Sequence, residues 1–198
     1  MTDIIINNIS KSFGKKKVLS KLSAIIPAQK ATVIMGESGC GKTTLINIIM
    51  GLEKADCGDI SGVPERISAV FQDDLLCDDF SAISNIRAVI GKKRSKEDIA
   101  ASLKALGLTD ADIFCPVRKL SGGMKRRVAI ARAILSDSEL IIMDEPFKGL
   151  DEETREATID FVLQNTTHKK KTLIVITHSP DEVKLLSADS VINFETFF

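Results

Sequence analysis

The sequence lacks a net charge, a long hydrophobic run and any closely spaced cysteine pair. Lys and Arg total 27, and Asp and Glu also total 27, so the overall positive charge typical of nucleic-acid-binding domains is absent. No apolar run approaches the ~18 residues of a membrane span. The N-terminal segment has neither the basic region nor the long apolar core of a secretory signal. We therefore expect a cytoplasmic protein that binds no nucleic acid.

Cysteine is sparse, and its spacing argues against a metal site. The four cysteines form no CxxC pair, so free thiols in a reducing compartment are expected instead of zinc ligands or disulfides. They are Cys40, Cys57, Cys77 and Cys115. With 198 residues, of which 44% are hydrophobic, the chain is long enough for one domain with its own core.

The most informative stretch is GESGCGKT at residues 36–43, which matches the phosphate-binding pattern GxxxxGK[ST]. A buried strand is predicted before it, at 31–35, and a helix after it, at 44–50. In this setting glycines let backbone N–H groups approach phosphate oxygens, and the helix N-terminus adds unpaired donors. Lys42 is predicted to reach the β- and γ-phosphates, and Thr43 to place its hydroxyl on Mg²⁺. The complete motif disfavours the alternative of an incidental glycine-rich turn.

Cys40 lies inside this loop, where it could be mistaken for a nucleophile. A thiolate beside phosphate oxygens would be repelled, so we interpret Cys40 as a small neutral filler.

Strands and helices alternate along the chain, which predicts an α/β fold with a P-loop NTPase core and an N-terminal antiparallel β subdomain. A helical subdomain at about 73–135 is predicted to be inserted in this core, within one domain spanning 1–198. The predicted strands are 3–9, 18–26, 31–35, 60–63, 66–71, 140–143, 172–177 and 190–194. The predicted helices are 44–50, 84–90, 95–106, 122–135, 152–165 and one that starts at Pro180 after a capping box.

Polar side chains follow three predicted strands, at the sheet edge where ligands of open α/β folds bind. Asp144 and Glu145 come directly after four apolar residues, which suits Asp144 to Mg²⁺ and Glu145 to polarising an attacking water. Gln72 and His178 follow two other strands in the same way. A purely structural role for His178 is the competing interpretation.

A second helix start is also suited to anions. Ser121, Gly122 and Gly123 open the predicted helix 122–135, and a serine followed by two glycines can present free N–H groups. An ordinary N-cap is the alternative. If both helix starts bind phosphate, one solution is a symmetric dimer in which each nucleotide lies between two copies.

Together these residues resemble the ATP-binding subunits of ABC transporters along almost the full chain. Residues 36–43 are similar to that family's Walker A motif, Gln72 to its Q-loop, and residues 120–124 to its signature motif. Asp144 and Glu145 are similar to Walker B and the catalytic glutamate, 150–151 to the D-loop, and His178 to the switch histidine. The surroundings of Gln72 and of Asp144 are also similar to importer subunits for nitrate, sulfonate or taurine-like solutes.

The resemblance implies a head-to-tail dimer, an identical second subunit being the expectation, with two ATP molecules at its interface and a separate membrane permease as partner. It implies ATP and Mg²⁺ as cofactors, and a peripheral location on the inner face of the membrane. Glu145, His178, Gln72 and Lys42 would be catalytic. ATP would bind to Phe13, Gly36, Glu37, Ser38, Gly39, Cys40, Gly41, Lys42, Thr43, Thr44, Ser121, Gly122 and Gly123, and Mg²⁺ to Thr43, Gln72 and Asp144.

Two positions depart from the family pattern. Phe13 occupies the place of a usual tyrosine that stacks on adenine, and packing of Phe13 into the core is the alternative. Lys148 stands where a small residue usually precedes the D-loop, so interface contacts there need not follow the family.

A soluble ABC-type ATPase acting on ribosomes or DNA is the alternative function. Such proteins usually carry two ATPase domains or a long coiled-coil insertion, and this chain has neither. Its balanced charge also argues against a nucleic-acid surface.

Overall fold

Two β-sheets and a group of helices form the part of the chain described by the structure, residues 2–194 of a computed structural model. Met1 and residues 195–198, which the predicted domain includes, lie outside the described residues. The first sheet is antiparallel, with strand order β2-β1-β4. Its strands are β1 (Ile4–Phe13), β2 (Lys16–Ile26) and β4 (Cys57–Ser61). The predicted N-terminal antiparallel sheet is thus confirmed.

The second sheet is parallel, with strand order β5-β6-β7-β3-β8. Its strands are β3 (Ala31–Met35), β5 (Ile67–Val70), β6 (Leu140–Asp144), β7 (Thr172–Ile176) and β8 (Ser190–Asn193). Every side chain of β6 and β7 is buried, as expected for central strands covered on both faces. In the register, Ile176 pairs with both Ile34 and Asp144. The carboxyl ends of β3, β6 and β7 therefore meet at one edge.

Seven α-helices accompany the sheets in residues 2–194. They are α1 (Lys42–Ile49), α2 (Ala82–Ile90), α3 (Lys96–Ala105), α4 (Asp110–Phe114), α5 (Gly122–Leu135), α6 (Glu152–Asn165) and α7 (Pro180–Leu185). Helices α2 to α5 lie between β5 and β6 in sequence and share a hydrophobic cluster that includes Ile86, Leu103 and Val128. Helix α5 also packs on the parallel sheet through Ile130 and Ile134, so it joins the helical group to the core.

The structure differs from the sequence prediction at two elements. The weak strand expected at 60–63 is β4 at Cys57–Ser61, and it pairs with β1 across some fifty residues, with Ile6 opposite Ile60. Helix α4 was not predicted at all. Its capping box, in which Thr109 and Asp112 bond each other's backbone N–H groups, is a sequence signal that could have revealed it.

Within residues 2–194, no helix combines the length and the apolar character needed to cross a membrane.

Candidate functional site

The loop between β3 and α1 needs glycine because its backbone is left-handed and closely packed. Gly41, immediately before α1, has φ +108, and a Cβ there would lie 3.0 Å from the Val18 carbonyl oxygen. Gly36 has φ +147, and a Cβ there would lie 2.8 Å from the Phe194 side chain. A larger residue would strain the chain at both positions. At Gly36 and Gly41, the loop therefore has no side chain of its own between its backbone N–H groups and a ligand.

Lys42, the first residue of α1, is buried beneath this loop. Its side chain is 7% exposed, and its Nζ donates hydrogen bonds of 2.6 Å to the carbonyl oxygens of Gly36 and Glu37. The Nζ also lies 3.7 Å from Cys40 Sγ. Cys40 is half-buried against the core beneath the antiparallel sheet. The ammonium group is thus held at the centre of the loop, where phosphate would approach.

Thr43 and Asp144 meet where α1 faces the carboxyl end of β6. Thr43 Oγ1 donates a 2.9 Å hydrogen bond to Asp144 Oδ2, while Asp144 is 2% exposed. Burial raises the pKa of Asp144, and the hydrogen bonds from Thr43 and Gln72 act in the opposite direction. The other oxygen, Oδ1, is buried and has no hydrogen-bond partner among residues 2–194. A carboxylate oxygen left free beside a hydroxyl and an amide is a donor set that fits Mg²⁺.

Glu145 follows β6 in the left-handed conformation, with φ +47. Its backbone N–H donates to the Ile176 carbonyl at 3.0 Å, which fixes the turn. Its Oε2 lies 3.2 Å from Lys148 Nζ, and its Oε1 lies 3.4 Å from His178 Nδ1. Burial opposes ionisation, but the Lys148 ion pair and then His178 outweigh it and hold the pKa of Glu145 below its ordinary value. The carboxylate is therefore ionised and oriented by its neighbours.

These groups surround one cavity of about 250 Å³. Of the residues predicted for ATP, Mg²⁺ or catalysis, it is lined by Phe13, Ser38, Gly39, Gly41, Lys42, Thr43, Thr44, Gln72, Asp144 and Glu145. Gly36, Glu37 and His178 border a neighbouring cavity of about 330 Å³. The structure thus brings the sequence-predicted loop and sheet-edge residues together.

Phe13 is half exposed at this cavity, so the alternative in which it packs into the core is wrong. Lys11 lies over its ring, with Nζ 5.1 Å from the ring centroid, and is held by Glu53 at 2.8 Å. Sequence reasoning missed Lys11, although residues two apart in a strand share a face. It also missed Lys16 and Val18, which line the cavity from β2.

The start of α5 lies outside this arrangement. Ser121, Gly122 and Gly123 are absent from the lining of the cavity among residues 2–194. Ser121 Oγ accepts a 3.2 Å hydrogen bond from the Met124 N–H, the ordinary N-cap considered as the alternative. Ser121 and Gly122 are exposed. Among residues 2–194 of one chain, the start of α5 therefore contributes nothing to the Lys42 cavity.

Comparison with known proteins identifies the family of this chain. Residues 19–148 match the family described as ABC transporter. The chain is similar to an aliphatic sulfonates import ATP-binding protein from Paracoccus denitrificans, at 34% identity over 93% of this chain and 76% of that protein. It is also similar to the Nod factor export ATP-binding protein I of Rhizobium etli, at 33% identity over 94% of this chain and 63% of that protein.

A solved structure is similar over nearly the same length. It is the dimeric, post-hydrolysis state of an ATP-binding cassette bound to ADP and Pi. The TM-score is 0.82 at 26% identity, covering 96% of this chain and 93% of that one.

Proposed function

The chain belongs to the ABC transporter family, as an ATP-binding and ATP-hydrolysing subunit, and we propose that the residues around Lys42 perform this chemistry for a separate membrane permease. The observation that carries the proposal is that Lys42, Asp144 and Glu145 line one cavity. A buried cation, a buried carboxylate and an ionised carboxylate at one sheet edge are suited to phosphate, Mg²⁺ and water respectively.

Phosphate binding would fall to the loop and to α1. Lys42 already directs its ammonium group at two loop carbonyls, those of Gly36 and Glu37, so exchanging these for phosphate oxygens needs little movement. The first N–H groups of α1 and the positive end of its dipole face the same place. Phe13 offers an exposed ring for the adenine base.

Mg²⁺ would be held by Thr43, Asp144 and Gln72. When bound, it supplies positive charge that neutralises the phosphate oxygens as the bond to the leaving group breaks. The chain's own part is to hold the Asp144 carboxyl in place: burial raises its pKa, and the hydrogen bonds from Thr43 and Gln72 oppose that rise. Asp144 Oδ1 remains available because none of the described residues hydrogen-bonds it.

Glu145 would act as the general base on the attacking water. One Glu145 oxygen accepts the water proton while the water oxygen attacks the γ-phosphorus, giving ADP and phosphate. Its left-handed backbone and the bond to Ile176 fix the direction of the carboxylate. His178 lies beside the same carboxylate and would hold its orientation.

A second copy would complete the site. Ser121 and Gly122 are exposed and, among residues 2–194, do not line the Lys42 cavity of their own chain. The related cassette with ADP and Pi is a dimer. In a head-to-tail dimer, the start of α5 in one copy would cover the ATP held by Lys42 of the other, as charge complementarity at a helix N-terminus favours.

For the transported solute we propose an aliphatic sulfonate, moved inward through a permease at the inner face of the membrane. The name of the Paracoccus denitrificans relative supports this, and it favours transport over the ribosome or DNA alternative. The exposed apolar residues Leu75, Phe80 and Val89 would contact the permease. That the chain binds no nucleic acid stays a prediction from its balanced charge.

The test of the catalytic proposal is Glu145→Gln. We expect ATP affinity to be retained and kcat to fall about 10²- to 10⁴-fold, since the proton acceptor is lost. Because ATP stays uncleaved, the variant should also form a stable dimer with ATP, detectable by size-exclusion chromatography. Hydrolysis at the normal rate would exclude Glu145 as the base.

The transport proposal has its own test. Affinity purification of the tagged chain from gently solubilised membranes should recover an integral membrane permease. Uptake of a radiolabelled aliphatic sulfonate should then stop in the Glu145→Gln strain. Recovery of ribosomal proteins without a permease would support the alternative, and efflux coupled to the chain would reverse the direction of transport.

A further inference from the structure

Two arginines of α5 hold the backbone that follows β5. We call residues 71–75 the Gln72 loop. Arg126 donates from Nη1 to the Phe71 carbonyl at 2.6 Å and from Nη2 to the Gln72 carbonyl. Arg132 donates from Nη2 to the Asp74 carbonyl at 2.8 Å and from Nη1 to the Leu75 carbonyl at 2.7 Å. Four of the five carbonyl groups in the loop are therefore fixed by one helix.

Burial makes the Arg126 contacts more rigid than a surface ion pair. The Arg126 side chain is 12% exposed, and it forms a second contact, at 3.2 Å, with the 20% exposed carboxylate of Asp74. A planar guanidinium can bond two adjacent carbonyls at once, which a lysine ammonium cannot match in geometry. Arg126 thus binds the loop at both its backbone and its acidic side chain.

The Gln72 loop ends at the nucleotide cavity. The Gln72 side chain lines that cavity together with Asp144, whose Oδ2 accepts the hydrogen bond from Thr43. Arg126 lies five residues after Ser121 on the helix that begins with the exposed serine and glycines. One side chain therefore joins the backbone of Gln72 to the helix whose start faces solvent.

We propose that Arg126 is a positioning residue for Gln72: by bonding the Gln72 backbone, it holds the Gln72 side chain in the cavity beside Asp144. This inference rests on the proposed function, in which Gln72 contributes to the Mg²⁺ site and to hydrolysis. Arg132 fixes the following part of the loop and contributes less, because its two carbonyls lie beyond Gln72.

The test uses the purified full chain with Arg126→Met and Arg126→Lys. We expect Arg126→Met to lower kcat roughly tenfold, with ATP affinity changed less than about twofold, because a small displacement of a catalytic contact affects turnover more than binding. Arg126→Lys retains the charge and one donor direction, so its kcat should lie between those of the wild type and Arg126→Met. It also keeps the test valid if Arg126→Met folds poorly.

Arg94→Met is the matched control. Arg94 also bonds a carbonyl of α5, from Nε to Leu135 at 3.3 Å, but at the end of the helix away from Gln72. Its loss should leave kcat unchanged. If Arg94→Met lowers kcat as much as Arg126→Met does, the effect comes from loosening α5 in general and the inference is overturned.

A double-mutant cycle with Gln72→Ala separates this inference from the proposed function. If Arg126 acts through Gln72, Arg126→Met should lower kcat no further in the Gln72→Ala background. Independent, additive losses would overturn the inference, as would an unchanged kcat in Arg126→Met alone while Gln72→Ala is impaired. An unimpaired Gln72→Ala would instead overturn the proposed role of Gln72, and with it this inference.

Discussion

The starts of α1 and α5 both carry glycines suited to an anion, but their surroundings within the subunit differ. We call the start of α1 the complete site and the start of α5 the incomplete site. At α1 the subunit's own residues surround the anion position: Lys42 is buried, Thr43 bonds Asp144 and Gly41 packs against Val18. At α5 a Cβ added to Gly122 would meet nothing within 4 Å among the described residues, and Gly122 has no positive φ. Among residues 2–194, the hydroxyl of its N-cap serine bonds only the Met124 N–H of its own helix.

The difference indicates why each glycine is there. Gly41 is required by the fold of the subunit, because its left-handed backbone and close neighbours leave no room for a side chain. Gly122 meets no such requirement within residues 2–194. A close approach by something outside the chain would explain it, which supports the proposed second copy with its ATP.

The largest effect is expected for Lys42→Ala, which removes the charge at the complete site. ATP affinity of the single subunit should fall roughly a hundredfold, since hydrogen bonds to a buried charged group are lost. Isothermal titration with ATP measures this directly. Unchanged affinity would exclude the phosphate role of the loop.

Gly122→Val should affect only the incomplete site. The thermal midpoint and the ATP affinity of the single subunit should stay at their wild-type values, because the side chain points into open space. ATP-dependent dimer formation and kcat should both fall about tenfold or more, because the added side chain would displace the second copy from the ATP. Gly41→Ala is the contrasting variant and should lower the thermal midpoint. Normal dimerisation of Gly122→Val would remove the distinction between the two helix starts.

Phe13 provides a smaller test at the complete site. Phe13→Ala should weaken ATP binding roughly fivefold through lost stacking, whereas Phe13→Tyr should retain it, because the ring is kept. The half-exposed ring makes a folding defect a poor explanation for such a loss. Equal affinities for Phe13→Ala and the wild type would exclude adenine stacking.

Lys148→Ser should give the smallest effect. Lys148 is 71% exposed and engages one Glu145 oxygen at 3.2 Å, and exposed ion pairs contribute little. Release of that oxygen should raise kcat about twofold, while Lys148→Arg should keep the wild-type value. Steady-state hydrolysis at saturating ATP is the measurement, and a strong loss of activity would instead give Lys148 an essential role at the interface.

Local patterns in the sequence predicted most of the fold and most of the site. The alternation of buried strands and amphipathic helices placed β3, β6, β7 and α6 within a residue or two of their observed bounds. The loop at 36–43 and the acids after β6 were identified from residue type and spacing alone. Such features depend on residues close together in sequence, which is why they can be predicted from the sequence.

Three features depended on partners far away in sequence. β4 became a strand through hydrogen bonds with β1, and neither its own composition nor its alternation indicated its true bounds. Arg126 bonds Gln72, which lies 54 positions earlier, so no local pattern around Arg126 predicts that contact. Phe13 could equally have packed inward, and the observed exposure settled that question.

The sequence by itself thus determined that this protein has a phosphate-binding loop, a carboxylate edge and a second anion-suited helix start. Only the tertiary structure decided that the first two share a cavity and that the third, among residues 2–194, does not line it. The physical reason is that residue chemistry and helical or strand periodicity are local properties. Which elements lie side by side is decided by the burial of apolar faces over the whole chain.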